Sequence, residues 1–189
     1  MLIGGCSVSQ NPHESDTIKG DEAIMAIDAL RPKGSFEDAR RRLDATAERV
    51  VAAVPGQTWQ FNPNPHGRNI NRQGLPCKGL TGDIARRPRA DSVQFGRRFS
   101  AEEFAIAIDI VRREAGQYGA SEESSLFNEQ DRRDFNVEGN GYEFNLGQLD
   151  VATLTITGGC FLMQSVVNLP PGQLPPEPPI VPVSPTPPP

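Results

Sequence analysis

Phe135-Asn136-Val137-Glu138-Gly139-Asn140-Gly141-Tyr142-Glu143-Phe144-Asn145-Leu146 is the stretch on which the fold turns. Phe135 and Val137 before the turn, and Tyr142, Phe144 and Leu146 after it, set apolar side chains at alternate positions. A period of two belongs to strands with one buried face, and Asn-Gly between two such runs marks a tight hairpin, because both residues tolerate positive φ. Further on, Thr153-Leu154-Thr155-Ile156-Thr157 alternates in the same way, meets Gly158-Gly159 and continues through Phe161, Leu162 and Met163, which predicts a second hairpin. Upstream, Thr58-Trp59-Gln60-Phe61 and Ser92-Val93-Gln94-Phe95 carry the same strand signal.

Helical spacing occupies the intervals. Asp21 to Leu30 aligns Ala23, Ile24, Ile27 and Leu30 on one side and is stopped by Pro32. Ser35-Phe36-Glu37-Asp38 reads as a capping box opening a second helix, whose stripe is Phe36, Ala39, Leu43, Ala47, Val50, Val51 and Val54, and Pro55-Gly56 ends it. A third helix starts with Ser100 as N-cap, Glu103 as its reciprocal partner and Phe99 placed to staple against Phe104. Ile108, Val111, Ala115 and Tyr118 continue its apolar side to Gly119 at the C-cap. The predicted class is α+β: a two-layer sandwich of about four to six mostly antiparallel strands with about three helices on one face.

The apolar residues are concentrated between 21 and 168, which predicts one domain there within the 189-residue chain. From 169 to 189 the composition shifts, and Pro170 to Pro189 hold eleven of the eighteen prolines, the pattern of polyproline II or disorder. A net charge of -5 argues against a nucleic-acid footprint, and the short arginine runs read as solvated faces. No run approaches the roughly 20 apolar residues of a membrane-spanning helix.

Membrane contact would then be covalent or peripheral, and the first residues suggest how. Leu2-Ile3-Gly4-Gly5-Cys6 has the form of a lipobox: an apolar residue, two small residues that admit a signal peptidase, and a thiol to accept diacylglycerol. Residues 6–20 follow as a polar tether, Ser7-Val8-Ser9-Gln10-Asn11-Pro12-His13-Glu14-Ser15-Asp16 showing no apolar period. Residues 1–5 lack the basic and apolar segments of a signal peptide, so they read as a remnant of a longer leader.

Three cysteines resolve into Cys6 for lipid and one pair, Cys77 with Cys160, expected as a disulfide closing a loop of about 80 residues. Neither of the pair has the Cys-x-x-Cys spacing of zinc or redox sites; the alternative is two buried thiols in a reducing compartment.

Chemistry-bearing residues are few. His13 falls in the tether and His66 in an apparent loop, Asn62-Pro63-Asn64-Pro65-His66-Gly67-Arg68-Asn69. Carboxylate pairs at Glu102-Glu103, Glu122-Glu123 and Asp131-Asp134 are candidates by type alone, while Asp150 and Glu138 flank hairpin turns. No phosphate loop, dinucleotide fingerprint or metal-ligand motif occurs, so no catalytic residue, metal or cofactor is assigned.

Taken together, Leu2-Ile3-Gly4-Gly5-Cys6, Pro55-Gly56-Gln57-Thr58-Trp59, Leu80-Thr81-Gly82-Asp83-Ile84-Ala85-Arg86-Arg87-Pro88, Glu123-Ser124-Ser125-Leu126-Phe127-Asn128-Glu129, Gly139-Asn140-Gly141-Tyr142-Glu143-Phe144 and Leu174-Pro175-Pro176-Glu177-Pro178-Pro179-Ile180 span nearly the whole chain. In these motifs the chain resembles the mycobacterial LppA-type lipoproteins, a family that includes LppB and LppV. The resemblance implies a cell-envelope lipoprotein acylated, palmitate included, at Cys6 on the extracytoplasmic face of the cell membrane, with Cys77 and Cys160 at the family's paired positions. It implies no activity. The expected role is a membrane-anchored module that binds an envelope protein, lipid or peptidoglycan and no nucleic acid; the alternatives are an extracytoplasmic hydrolase using carboxylates or His66, and an intracellular protein with an incidental Gly-Gly-Cys.

Overall fold

The computed structural model describes residues 17–129 and 132–176. Cys6, His13, Asp131 and the tail beyond residue 176 lie outside them. In chain order the elements are α1 (Gly20–Leu30), α2 (Phe36–Ala53), β1 (Trp59–Phe61), α3 (Pro65–Gln73), β2 (Leu75–Pro76), β3 (Ala85–Arg87), β4 (Val93–Phe95), α4 (Ala101–Gly116), β5 (Glu122–Ser124), β6 (Arg133–Gly139), β7 (Tyr142–Gln148), β8 (Ala152–Thr157), β9 (Phe161–Leu162) and α5 (Gln164–Val167). The class is the α+β one that the alternation and helical stripes predict.

Its centre is an antiparallel six-stranded sheet in the order β1-β4-β8-β7-β6-β5. The β6–β7 hairpin pairs Gly139 with Tyr142, leaving Asn140 and Gly141 as its two-residue turn. Both have positive φ, 49° and 81°, and Asn140 is the one described non-glycine residue with that conformation. These signs match the right-handed twist of the strands, which is why Asn-Gly sets the register here.

One face of the sheet is closed by α2 and α4. The α2 stripe read from sequence is buried in full: Leu43, Ala47, Val50, Val51 and Val54, with Phe104, Ala107 and Val111 of α4, meet Val93, Phe95, Phe135, Val137, Phe144, Leu146, Leu154 and Ile156 from the strands, while Phe36 and Ala39 pack with Phe161 of β9. Thr46 of α2 is also tied to the segment that follows α4, through a 2.6 Å hydrogen bond between the Thr46 and Tyr118 hydroxyls.

The α4 start has the reciprocal cap that Ser100 and Glu103 predict: the Glu103 amide donates to Ser100 Oγ at 3.2 Å and the Ser100 amide to Glu103 Oε2 at 2.8 Å. Arg97 also donates to the Glu103 carboxylate, and chiefly this contact, with the Ser100 amide second, holds the Glu103 pKa down at about 2. A carboxylate whose pKa falls on folding contributes stability that is present above its unfolded value and lost as pH drops toward the folded one. Glu103→Gln is therefore expected to lower the urea midpoint at pH 7, with the gap to the parent narrowing below pH 4.5 and closing near pH 2.

Two sequence expectations are corrected. Gly158-Gly159 does not turn β8 into a hairpin: β9 pairs with β3, forming a separate three-stranded sheet in the order β2-β3-β9. At the crossing the Gly158 amide donates to Pro88 O and its carbonyl accepts from Arg87 Nε, while a Cβ on Gly158 would fall 2.9 Å from Pro88 Cγ. The close approach of these backbones, and not a reversal of direction, explains this glycine. His66 lies in helix α3 rather than a loop, because Asn64 caps the amides of His66 and Gly67 and Pro65 takes the first helical turn. Of the helices, α2 and α4 cover the large sheet, and α1 packs against β9.

The small sheet and α1 enclose their own core of Ile27, Cys77, Leu80, Ala85, Leu162 and Val166, with Ile18 and Cys160 packed at its margin. Both ends of the described chain meet this core. The Ile18 amide donates to Gly79 O, while Arg31 donates to the carbonyls of Val166, Val167, Leu169 and Pro170 and Asp28 accepts from the Gly172 amide. The sulfurs of Cys77 and Cys160 are bonded here, with Cα atoms 5.8 Å apart.

Candidate functional site

In a sheet with helices on one side, alternation sends every second residue to the other side. Strand register gathers these residues into rows. Glu122, Glu138, Glu143 and Thr157 form one across β5, β6, β7 and β8; Ser124, Asn136, Asn145 and Thr155 form the next. Asp134, Gly147, Thr153, Gln94 and Gln60 form a third, from β6 to β1. Every side chain in the three rows is polar, and the two long helices leave this face open. Asn136 Oδ1 has no hydrogen-bond partner among the described residues, and neither does the Gln94 amide.

Two shallow depressions lie along this face. At one end Arg87, Glu122, Glu138, Gly139, Gly141, Tyr142 and Glu143 line about 230 Å³. Here Glu138 stands opposite Glu122 on one side and Glu143 on the other, like charges in register, which weakens strand pairing. Glu138→Gln is expected to raise the urea midpoint at low ionic strength, and the gain should fade in 1 M salt as screening removes the repulsion.

The second depression, about 360 Å³, is lined by Gln94, Phe127, Gly147, Gln148, Leu149, Asp150, Val151 and Thr153. Its floor is Gly147, where an added Cβ would meet Asn145 and Thr153 at ordinary contact distances of 3.5 and 3.7 Å. Phe127 forms a wall because Asp134 ties the preceding loop down. Its Oδ2 accepts from the Leu126 amide, its own amide donates to Phe127 O, and its Oδ1 accepts from Asn145 Nδ2 at 2.9 Å. The Arg132 guanidinium carbon lies 4.8 Å from the Phe127 ring centroid. Leu126 and Leu149 on the rim are 86% and 56% exposed.

The remaining candidates are dispersed. The exposed His66 ring makes no hydrogen bond or ion pair among the described residues. Glu102 and Glu103 sit in the first turn of α4, and Glu103 is engaged in the cap. Glu123 points to the opposite side of the sheet from Glu122 and pairs with Arg112 of α4, which keeps its carboxyl below the ordinary range. Asp150 is solvated, 4.0 Å from Arg98. These side chains do not converge on a reacting centre. Among the described residues no group of three or more histidines, cysteines or carboxylates is arranged to hold a metal, and no helix is long and apolar enough to cross a membrane.

A family model described as LppA, lipoprotein confined to pathogenic Mycobacterium, matches residues 11–164. The chain belongs to the LppA family. Similar family members include LppB of Mycobacterium tuberculosis, 58% identical over 190 residues that cover 98% of this chain and 86% of that protein. LppA of the same organism is 57% identical, with 98% of this chain and 87% of that protein covered. The crystal structure of M. tuberculosis LppA matches with a TM-score of 0.78 and 58% identity, over 82% of this chain and 94% of that one. In this family member the fold is a helix-backed sheet with its polar side uncovered, joined to a disulfide-linked smaller core. Composition does not single out that polar face: Thr, Asn and Gln are ordinary strand and turn residues, and only the register assembles them. Gly147, a glycine inside a strand, was the one local signal.

Proposed function

We propose that this LppA-family protein is a cell-envelope lipoprotein, held at the extracytoplasmic membrane surface by a diacylglyceryl thioether on Cys6, that binds an envelope component through the open face of its large sheet. The observation that carries this reading is the in-register array of polar side chains on the face that the long helices leave open, bordered by exposed Leu126 and Leu149. A sheet face serving stability alone needs only solvation, whereas fixed rows of amide and hydroxyl groups beside an apolar rim suit recognition.

The path of the chain supports the tether. Ile18 enters at the small core, which shares no buried cluster with the six-stranded sheet. A membrane attachment ahead of Ile18 therefore joins the molecule at the α1 end and leaves the sheet face accessible. The relatives LppA and LppB are named as lipoproteins, in agreement with the lipobox around Cys6.

Expression in a mycobacterial host, followed by detergent phase partition, tests the anchor. The native protein is expected in the detergent phase and Cys6→Ala in the aqueous phase. Equal partition of the two into the aqueous phase would refute acylation.

A further inference from the structure

Resting on the proposal that the open face binds, we infer that the depression over Gly147 is a site for an uncharged glycan segment. Its lining combines a ring wall (Phe127), an amide (Gln94), a hydroxyl (Thr153) and one carboxylate (Asp150). This is the set that a sugar requires: C–H faces pack against an aromatic ring, while hydroxyls donate to carboxylate or amide oxygen and accept from N–H or O–H. The volume of about 360 Å³ falls near the lower end for small-molecule sites, enough for a short stretch of a polymer crossing the sheet.

The same lining disfavours other ligand classes. No lysine or arginine lines the depression, and Arg98 and Arg132 beside it are engaged with Asp150 and the Phe127 ring, so the lining itself offers a phosphate or carboxylate no cation to pair with. An acyl chain would bury the Gln94 amide without a partner, since its apolar surface offers no hydrogen bond in place of water. Gly147 completes the argument. Its φ does not require glycine, and the space above it admits a Cβ, so strand geometry leaves the missing side chain unexplained. A ligand lying close to the backbone at this point explains it.

The test is NMR of the ¹⁵N-labelled protein titrated with neutral oligosaccharides of glucose, galactose, mannose and arabinose. Binding is expected to shift the Gly147 and Thr153 amides and the Gln94 side-chain amide. Phe127→Ala should weaken binding about tenfold. Gly147→Val, which puts a branched side chain into the depression at a position whose Cβ meets its neighbours at ordinary contact distances, should abolish it with the remaining spectrum retained. Absence of shifts at these groups with all four sugar classes, or shifts that Gly147→Val leaves intact, would overturn the inference. A photo-crosslinker placed at Thr155 and activated in intact cells separates that failure from the broader one. Crosslinks to protein or lipid together with negative titrations would reject the glycan and keep the binding face, whereas no crosslink and no shift would reject both.

Discussion

Replacing Cys77 and Cys160 together by serine is expected to lower the unfolding free energy by about 4 kcal/mol. The bond spans 83 positions, and a crosslink of that span removes a large share of the conformational freedom of the unfolded chain. The loss should also be uneven. The small core depends on two-residue strands β2 and β9, on three-residue β3 and on contacts from both ends of the described chain, whereas the large sheet has long paired strands and a core of its own. Native-state hydrogen exchange is therefore expected to accelerate first at Ala85, Met163 and Ile18, with Phe144 and Ile156 staying protected until global unfolding. A urea titration of the double variant giving a loss under about 1 kcal/mol would contradict the entropic argument.

Gln148→Leu is the second large effect, expected to cost about 3 kcal/mol. Gln148 is 1% exposed, and its amide serves one residue in both senses: Oε1 accepts from the Phe99 amide at 2.7 Å and Nε2 donates to Phe99 O at 3.2 Å. Phe99 precedes the α4 cap and packs edge-on against Phe95, so this side chain joins the end of β7 to the entry of the helix that covers the sheet. Leucine nearly conserves volume yet leaves the Phe99 N–H unpaired in the core; the Phe99 carbonyl keeps only the long 3.5 Å bond from Arg133. Gln148→Glu supplies a control, since it retains an acceptor for the Phe99 N–H but loses the donor and introduces a buried charge. It should be destabilised more at pH 8 than at pH 4, where the carboxyl is neutral. Thermal melts of the two variants at both pH values read the difference; a Leu variant as stable as the parent would remove Gln148 from the account of the core.

Long elements were legible in the sequence because their signals reinforce one another. Residues 135–146 combine strand alternation with an Asn-Gly turn, and α4 combines a capping box with an apolar stripe. Short elements were not. β9 has two residues, too few for a period, and its partner is decided by the crossing at Pro88 and Gly158 rather than by its own composition. Helix α3 was hidden by its turn formers, although Asn64-Pro65 is also a cap followed by a proline suited to the first turn. The face proposed for binding was illegible for a different reason. Reading it requires knowing that Asp134 stands opposite Gly147 and that Thr153 stands opposite both Gly147 and Gln94, a relation set by pairing between strands and not by neighbours in sequence.

Mass spectrometry of the N-terminal peptide of the protein isolated from membranes of its native host is the most direct measurement. The expected peptide begins at Cys6 and carries the mass of a thioether-linked diacylglycerol. A peptide with an unmodified Cys6 still preceded by Gly5 would contradict a lipid-anchored protein.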